Sequence, residues 1–428
     1  MKKIIVYIFI IFFLIVFYFT NFTIKNDNLY IFEKNKKKNL IPYKIKYFQF
    51  TRSEIKEIKE NKFKLEKFSN SYLKSNGPRA YLEYYNGNLF VLSADGILMS
   101  LSKINLNKKN IVMKVIKSNI RNLIGPDFIK SYKYIINDIL IKDNRLYISY
   151  SKKNNDNCYT NVVLEGSLNT NKMSFKEFFN TNECQKNLSY SAGGRLSTYK
   201  KNNIIMTIGD WESYEKFKNK DVENVNKIVG KIILINQDTK KFKILSMGHR
   251  NPQGLFYDEE NNFIFLTEHG PQGGDEININ TSPDSKIIKN YGWGKVSYGE
   301  HYGYPKNKNL DLYAIAPLHK SHKKYGFLEP LKYFTPSIAI SQIVKTEKFT
   351  NEKYKHIIYV GALGYPSQIS EGDMSIHQIF IDKKMKIEKH NIILINERIR
   401  DMIYIKELNK IVLYLETSGS IGILHSIN

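Results

Sequence analysis

The sequence predicts an all-β chain, a six-bladed β-propeller behind an N-terminal membrane-anchor helix. Three observations predict it. A polar turn followed by a short β-rich run recurs six times at nearly even spacing. Aromatics are abundant, with 30 Tyr and 25 Phe against 2 Trp, and an unbroken apolar stretch stands at the N-terminus. Tyr, Phe, Ile and Val suit a pleated, half-buried surface, so the composition leans towards strands.

The apolar stretch comes first in the chain. Lys2 and Lys3 precede an apolar run from Ile4 to Phe19 that continues past Thr20 and Asn21 to Phe22. As a helix, about nineteen residues span roughly 28 Å, close to the hydrocarbon core of a bilayer. The lysines would stay cytoplasmic and send the rest outward. A cleaved signal peptide needs small residues at its cleavage site, and no Gly, Ala, Ser or Cys precedes Ser53. Residues 1–22 are therefore read as an uncleaved anchor in preference to a removed signal. Either reading puts the rest on the periplasmic side of the inner membrane, which becomes a partner through residues 4–22.

Residues 23–75 read as a stalk or lead-in. The run Glu33-Lys34-Asn35-Lys36-Lys37-Lys38-Asn39 is a solvated linker, and Thr51–Phe68 suits a short helix or an edge strand equally. Residues 76–428 carry the repeats. The turns open at Asn86, Asp143, Lys201, Glu260, Tyr354 and Leu408, 57, 58, 59, 94 and 54 residues apart. Each leads into a run such as Leu89-Phe90-Val91-Leu92 or Ile411-Val412-Leu413-Tyr414. Most follow another strand-like run, so each turn is the centre of a hairpin. Units of this size and regularity stack as blades, each burying a face its neighbour cannot bury alone. The 94-residue interval holds an insertion over 278–335, rich in Gly, Tyr, His and Lys, and a loop of that length is functional when it holds motifs.

The formal net charge is +24, from 65 basic and 41 acidic residues. The lysines are scattered through loops among Asn and Ile, and no helix-turn-helix, zinc-finger or RNA-binding signature accompanies them. The charge is a solvated basic surface, and nucleic acid is excluded as a partner. Cys158 and Cys184 are the two cysteines. An exported compartment favours pairing, but two unrelated buried thiols fit the sequence as well.

The chemistry gathers in one region. Gly248-His249-Arg250-Asn251-Pro252-Gln253-Gly254-Leu255 is followed by Glu268-His269-Gly270-Pro271-Gln272-Gly273-Gly274-Asp275-Glu276. Asn290-Tyr291-Gly292-Trp293 and Ser297-Tyr298-Gly299 come next. Arg250 is a planar cation suited to a carboxylate. Asn251 and Gln253 offer amide donors and acceptors. Gly270 and Pro271 can present backbone carbonyls, hard oxygen ligands for Ca²⁺, with Asp275 and Glu276 nearby.

This ordered series resembles the soluble pyrroloquinoline quinone (PQQ)-dependent glucose/sorbosone dehydrogenases, also called aldose sugar dehydrogenases. Further matches are Gly193-Gly194-Arg195-Leu196 before Gly209-Asp210, Pro336-Ser337-Ile338-Ala339, Val360-Gly361-Ala362-Leu363 and Arg398-Ile399-Arg400-Asp401. The resemblance runs from about Tyr81 to the C-terminus. It implies a six-bladed propeller with PQQ at the mouth of its central channel. It implies that Arg250, Asn251, Gln253, Ser337, Arg398 and Arg400 hold the cofactor. The carbonyls of Gly270 and Pro271 would hold Ca²⁺. The reaction it implies is hydride transfer from a sugar or related alcohol to the Ca-bound quinone, with a histidine taking the hydroxyl proton and an unknown acceptor receiving the electrons.

Three positions depart from the family pattern. The base histidine is replaced by Ser191, which accepts no proton at neutral pH without a base of its own. The lysine after Val-Gly-Ala-Leu is Gly364, and the tryptophan before Pro-Ser is Thr335. His269 and His301, the latter with Glu300 beside it, are candidate substitutes for the missing base, against a structural, surface or packing role for either. Asp210 and Trp211 read as a turn. Two functions follow: a quinoprotein oxidoreductase, with Ser191, Arg250 and His301 at the catalytic centre, or a non-catalytic periplasmic propeller that binds a sugar, an anionic ligand or a protein.

Overall fold

The computed structural model describes residues 46–76, 79–102, 109–132, 134–212, 220–302, 310–346, 354, 356–364 and 372–427. The hairpins stand where the turns place them. Tyr85 pairs with Asn88, Lys142 with Arg145, Tyr199 with Asn203, Asp258 with Phe263 and Ile405 with Lys410. The turns need left-handed backbone, and Asn and Gly tolerate it: Asn86 has φ 46°, Gly87 77°, Asn144 55° and Asn262 54°.

How those hairpins join is different from the expectation. The largest sheet has nine strands. Their order is Ile399–Ile405, Lys410–Leu415, Ser420–Ser426, Phe63–Ser69, Tyr47–Ile58, Asn110–Val115, Leu98–Ser102, Asn88–Ser93 and Ala80–Tyr85. The strand Tyr47–Ile58 makes it continuous. Its residues 51–58 pair with Phe63–Ser69, which in turn pairs with the last strand of the chain. Its residues 47–51 pair with Asn110–Val115. The two edge strands of this sheet meet, because the Leu82 N–H donates to Asp401 Oδ2 at 2.7 Å, so the sheet is nearly closed on itself.

The other large sheets contain Ile136–Lys142 to Asn180, Gly193–Tyr199 to Met247 with Lys289–Asn290 added, Pro252–Asp258 to Asn280 with Lys332–Phe334 added, and Ile340–Thr346 to Leu394. They have four, five, four and four strands. A short pairing of Lys117–Ser118 with Lys172–Met173 stands apart.

The six-bladed propeller behind an anchor helix is thereby corrected on both counts. Even turn spacing counts hairpins but does not say where a hydrogen-bond ladder ends, and here one ladder runs from the last hairpin through the N-terminal one into the first. The fold is all-β with one nearly closed nine-stranded sheet. Residues 4–22, where the sequence puts the anchor, lie outside the described residues. Among the described residues no helix is long and apolar enough to cross a membrane. The membrane partner and the anchored localisation are dropped with it.

Apolar layers separate successive sheets. Phe90, Leu92, Ile139 and Ile148 fill one. Tyr147, Val163, Ile204 and Ile233 fill the next. Phe265, Ile343 and Ile358 form another, and Tyr359, Ile376, Phe63 and Leu413 pack the last sheet against the first.

The first strand of each unit is a sheet edge with backbone groups that need partners. Side chains from the neighbouring unit supply them. Glu83 Oε2 accepts from Ile141 N, Asp138 Oδ2 from Leu196 N, and Gln342 Oε1 from Leu255 N. Arg195 Nε donates to Gln253 O, and Ser341 Oγ to Ile399 O. With Leu82 to Asp401, these links join the six edges in succession.

Candidate active site

Arg195 lies at the centre of those links. Its Nη1 is 2.9 Å from Asp138 Oδ1 and its Nη2 is 2.8 Å from Asp401 Oδ1, with Tyr81 beneath the guanidinium. Burial works against its charge, but Asp401 and Asp138 outweigh that and hold its pKa above the ordinary value.

Above it opens a cleft of about 360 Å³, counting the solvent within it. Arg79, Tyr81, Tyr134, Tyr190, Gln253 and Arg400 are among its walls. Gln253 Oε1 is 3.5 Å from Arg400 Nη1, and Gln253 Nε2 donates to Asn251 Oδ1 at 2.8 Å. Arg400 also donates through Nε and Nη2 to Glu416 Oε2, at 2.8 and 2.6 Å. Arg398 Nη2 and Arg79 Nε lie 3.9 and 3.8 Å from Glu416 Oε1. Burial opposes the Glu416 charge, yet Arg400, Arg79 and Arg398 keep its pKa below the carboxylate range. Arg398 Nη1 donates to the carbonyls of Leu363 and Gly364 at 3.2 and 2.7 Å.

Arg250 lines a neighbouring cavity with His269, Gly270, Trp293 and His322. Its backbone N–H donates to Glu268 Oε2, and its Nη1 to the carbonyls of His269 and Gly270 at 3.2 and 2.7 Å. The guanidinium faces the rings of Trp293 and Tyr302, both from the long insertion. His269 links the two cavities electrostatically. Burial lowers its pKa first, Asp275 works the other way, and both Arg250 and Arg400 lower it further.

The Gly270–Pro271 loop is held from below. Asp275 Oδ1 accepts from Gly270 N and Ser337 Oγ, and its Oδ2 from Ile340 N. Only glycine fits at 270, since a Cβ there would sit 2.2 Å from the Gly274 carbonyl. Ser337 is thus a support of the loop. Glu276 turns inward to His322 and Asn278, so neither carboxylate expected near the carbonyls faces them.

Ser191 is buried, with its N–H on Ser189 Oγ and its carbonyl accepting from Trp211 N. His301 is also fully buried. Its Nε2 is 2.7 Å from the Ala316 carbonyl, and burial lowers its pKa. The adjoining Glu300 accepts from Tyr313 OH.

The sequence missed three site groups. Arg79 and Glu416 stand outside any motif. Asp210 reads as a turn, but its Oδ2 accepts from Trp293 Nε1 at 2.8 Å, and burial lifts its pKa to about 7 against the pull of Arg250. The Gly209-Asp210 pair carried the only local signal for it. Among the described residues no group of three His, Cys, Asp or Glu side chains is arranged to hold a metal ion. Cys158 and Cys184, left open by the sequence, form a disulfide.

The chain has relatives among known proteins. It is 27% identical to the aldose sugar dehydrogenase YliI of Escherichia coli over 258 residues, 56% of this chain and 61% of that protein. An uncharacterised protein of Synechocystis sp. is 28% identical over 228 residues, 49% and 50% of the two chains. The chain thus spans about half the length of the curated relatives it matches. A glucose dehydrogenase crystal structure superposes with a TM-score of 0.61 at 20% identity, covering 82% of this chain and 99% of that one. The soluble aldose sugar dehydrogenase of Escherichia coli gives 0.60 at 20%, covering 81% and 95%. At that identity the likeness is one of fold. The family model described as Glucose / Sorbosone dehydrogenase matches residues 137–425, more than half of the chain, and the protein belongs to that family.

Proposed function

We propose that this chain is a PQQ-dependent oxidoreductase acting on a sugar or related alcohol. One observation carries the reading: Gln253 and Arg400, about 150 residues apart in the chain, are hydrogen-bonded to each other and line one cleft with Arg79, while Asn251 holds Gln253 and Glu416 gathers Arg400, Arg398 and Arg79. PQQ is a flat tricarboxylate, and planar guanidiniums beside amide groups suit it. The fit for calcium is weaker. Gly270 O already accepts from Arg250 Nη1, so only its second lone pair and the Pro271 carbonyl are offered.

When bound, the quinone supplies the hydride acceptor. Arg398, Arg400, Gln253 and Asn251 would orient its polar edge, and Arg250, shielded by Trp293 and Tyr302, would face developing negative charge. The proton acceptor we favour is His269. Its Nε2 lies 2.6 Å from the Ile340 carbonyl, which can only accept, so that nitrogen carries the proton. Nδ1 then keeps its lone pair, and a lowered pKa leaves the ring neutral at pH 7 with that nitrogen able to accept a proton. His301 is less suited, since no face of its ring is exposed, and among the described residues no base is hydrogen-bonded to the Ser191 hydroxyl.

A second reading, a non-catalytic all-β binder of an anionic ligand, draws on Ser191 at the base position. Reconstitution with PQQ and Ca²⁺, followed by reduction of an artificial electron acceptor over a panel of sugars, separates the two. Turnover with at least one sugar is expected. Tight PQQ binding with no turnover on any sugar would overturn the enzymatic reading in favour of the binder.

A further inference from the structure

We infer that Arg79 completes an anion-binding site at the mouth of the cleft, acting with Arg398 and Arg400, with Glu416 as the internal counter-ion that holds the three guanidiniums together. The ligand class is a molecule bearing a carboxylate or phosphate group. The inference deepens the quinone reading and rests on it only for which anion binds.

Charge matching sets Arg79 apart. Arg195, deeper in the cleft, is matched by two carboxylates, Asp138 and Asp401. Arg79 and Arg400 share the Glu416 carboxylate, and its shortest contacts go to Arg400. The Arg79 guanidinium stands 3.8 Å from Glu416, beyond hydrogen-bond distance, and makes no side-chain hydrogen bond among the described residues. It is not a loose surface group. Its side chain is 23% exposed, and its guanidinium lies 5.8 Å from the centre of the Tyr134 ring, which itself packs on Tyr190 at 4.3 Å. The backbone beside it is fixed, because its carbonyl accepts from Ala94 N and the following residue begins the edge strand Ala80–Tyr85.

A cation held in a part-buried wall beside two like charges is disfavoured unless an anion joins it. Burial and then Arg400 both work against the Arg79 charge, and Glu416 only partly offsets them. A carboxylate or phosphate entering the cleft would meet Arg79 and Arg400 from opposite sides of Glu416, with charge-assisted hydrogen bonds to donors already in place.

The test is calorimetric titration of the full chain at low salt with PQQ, citrate and inorganic phosphate, for wild type, Arg79→Gln, Arg79→Lys and Arg145→Gln. Arg145 pairs with Glu165, lies outside the lining of the cleft and serves as the control. The expected result is that Arg79→Gln loses about tenfold or more in affinity for every anion the wild type binds. Arg79→Lys should recover part of the loss, and Arg145→Gln should match wild type. If Arg79→Gln fails to fold, the Lys variant carries the test: a severalfold loss of anion affinity in a folded Lys variant at unchanged thermal midpoint supports the guanidinium contact. Unchanged anion binding in either folded Arg79 variant overturns the inference and leaves the quinone reading standing. Citrate or phosphate binding that depends on Arg79, without PQQ binding, upholds the site and overturns the quinone reading. No anion binding by wild type overturns both.

Discussion

Arg195 Nη2 and Asp401 Oδ1 lie 2.8 Å apart although 206 residues separate them in the chain. The same guanidinium holds Asp138, and Asp401 accepts from Leu82 N, so one buried ion pair joins the second, third and sixth units to the first. Removing one partner leaves uncompensated buried charge. Arg195→Met is expected to cost about 3–5 kcal/mol of stability, the range for breaking a buried pair. Urea titration would measure it. A loss under about 1 kcal/mol would mean that the aspartates take up protons and relax without the arginine.

His377 and His390 give a pH dependence whose sign follows from burial. Their rings face each other with Nδ1 and Nε2 at 2.8 Å, and burial pushes both pKa values down to about 4. An unfolded chain would protonate them near the ordinary value of 6.5. The stability they contribute is therefore fully present above about pH 6.5 and is lost as pH falls towards 4. His390→Gln, tested by thermal unfolding between pH 7 and 4, is expected to flatten that decline. An unaltered slope would show that other groups govern it.

The disulfide should matter for stability. Cys158 and Cys184 close a loop with a separation of 26 residues around the strands Tyr159–Ser167 and Phe175–Asn180. Loop-closure entropy gives about 3 kcal/mol for a bridge of this size. The double Cys158→Ser, Cys184→Ser variant should unfold at correspondingly lower denaturant, and a reducing agent should lower the wild type to the same midpoint. Equal midpoints for the variant and the oxidised wild type would refute this.

The two histidines can be told apart kinetically in a protein that turns over. His269→Gln is expected to lower kcat by about a hundredfold or more, as for loss of a general base. Because the neutral ring is the acceptor and its pKa is depressed, wild-type kcat should rise with pH below the ordinary histidine range and be flat at neutrality. His301→Asn breaks a buried hydrogen bond and should cost about 1–2 kcal/mol of stability with the pH profile unmoved. Loss of the acidic limb in His301→Asn instead of in His269→Gln would reverse the assignment.

Much of the local structure was legible because its causes are local. The turn at Asn86-Gly87 and the run Leu89–Leu92 after it show the left-handed backbone and the buried strand within a few residues. Arg398 and Arg400 were legible through their motif. Arg79 and Glu416 were not, since a single charged residue gains meaning only from what packs beside it. Ser337 and Asp275 show the reverse: the motif marks them, but only the fold shows that Ser337 braces the Gly270–Pro271 loop through Asp275.

By itself, the sequence determined the strand-and-turn units and the family motifs, because dihedral preference, side-chain alternation and short motifs are written in neighbouring residues. Tertiary structure decided how those units join. Thr51 pairs with Ser69 and also with Asn110, and the last strand completes its ladder on residues 63–69. Register between distant strands depends on which backbone edges are left unpaired once everything else has packed. The gathering of three arginines on Glu416 is settled by the same non-local closure.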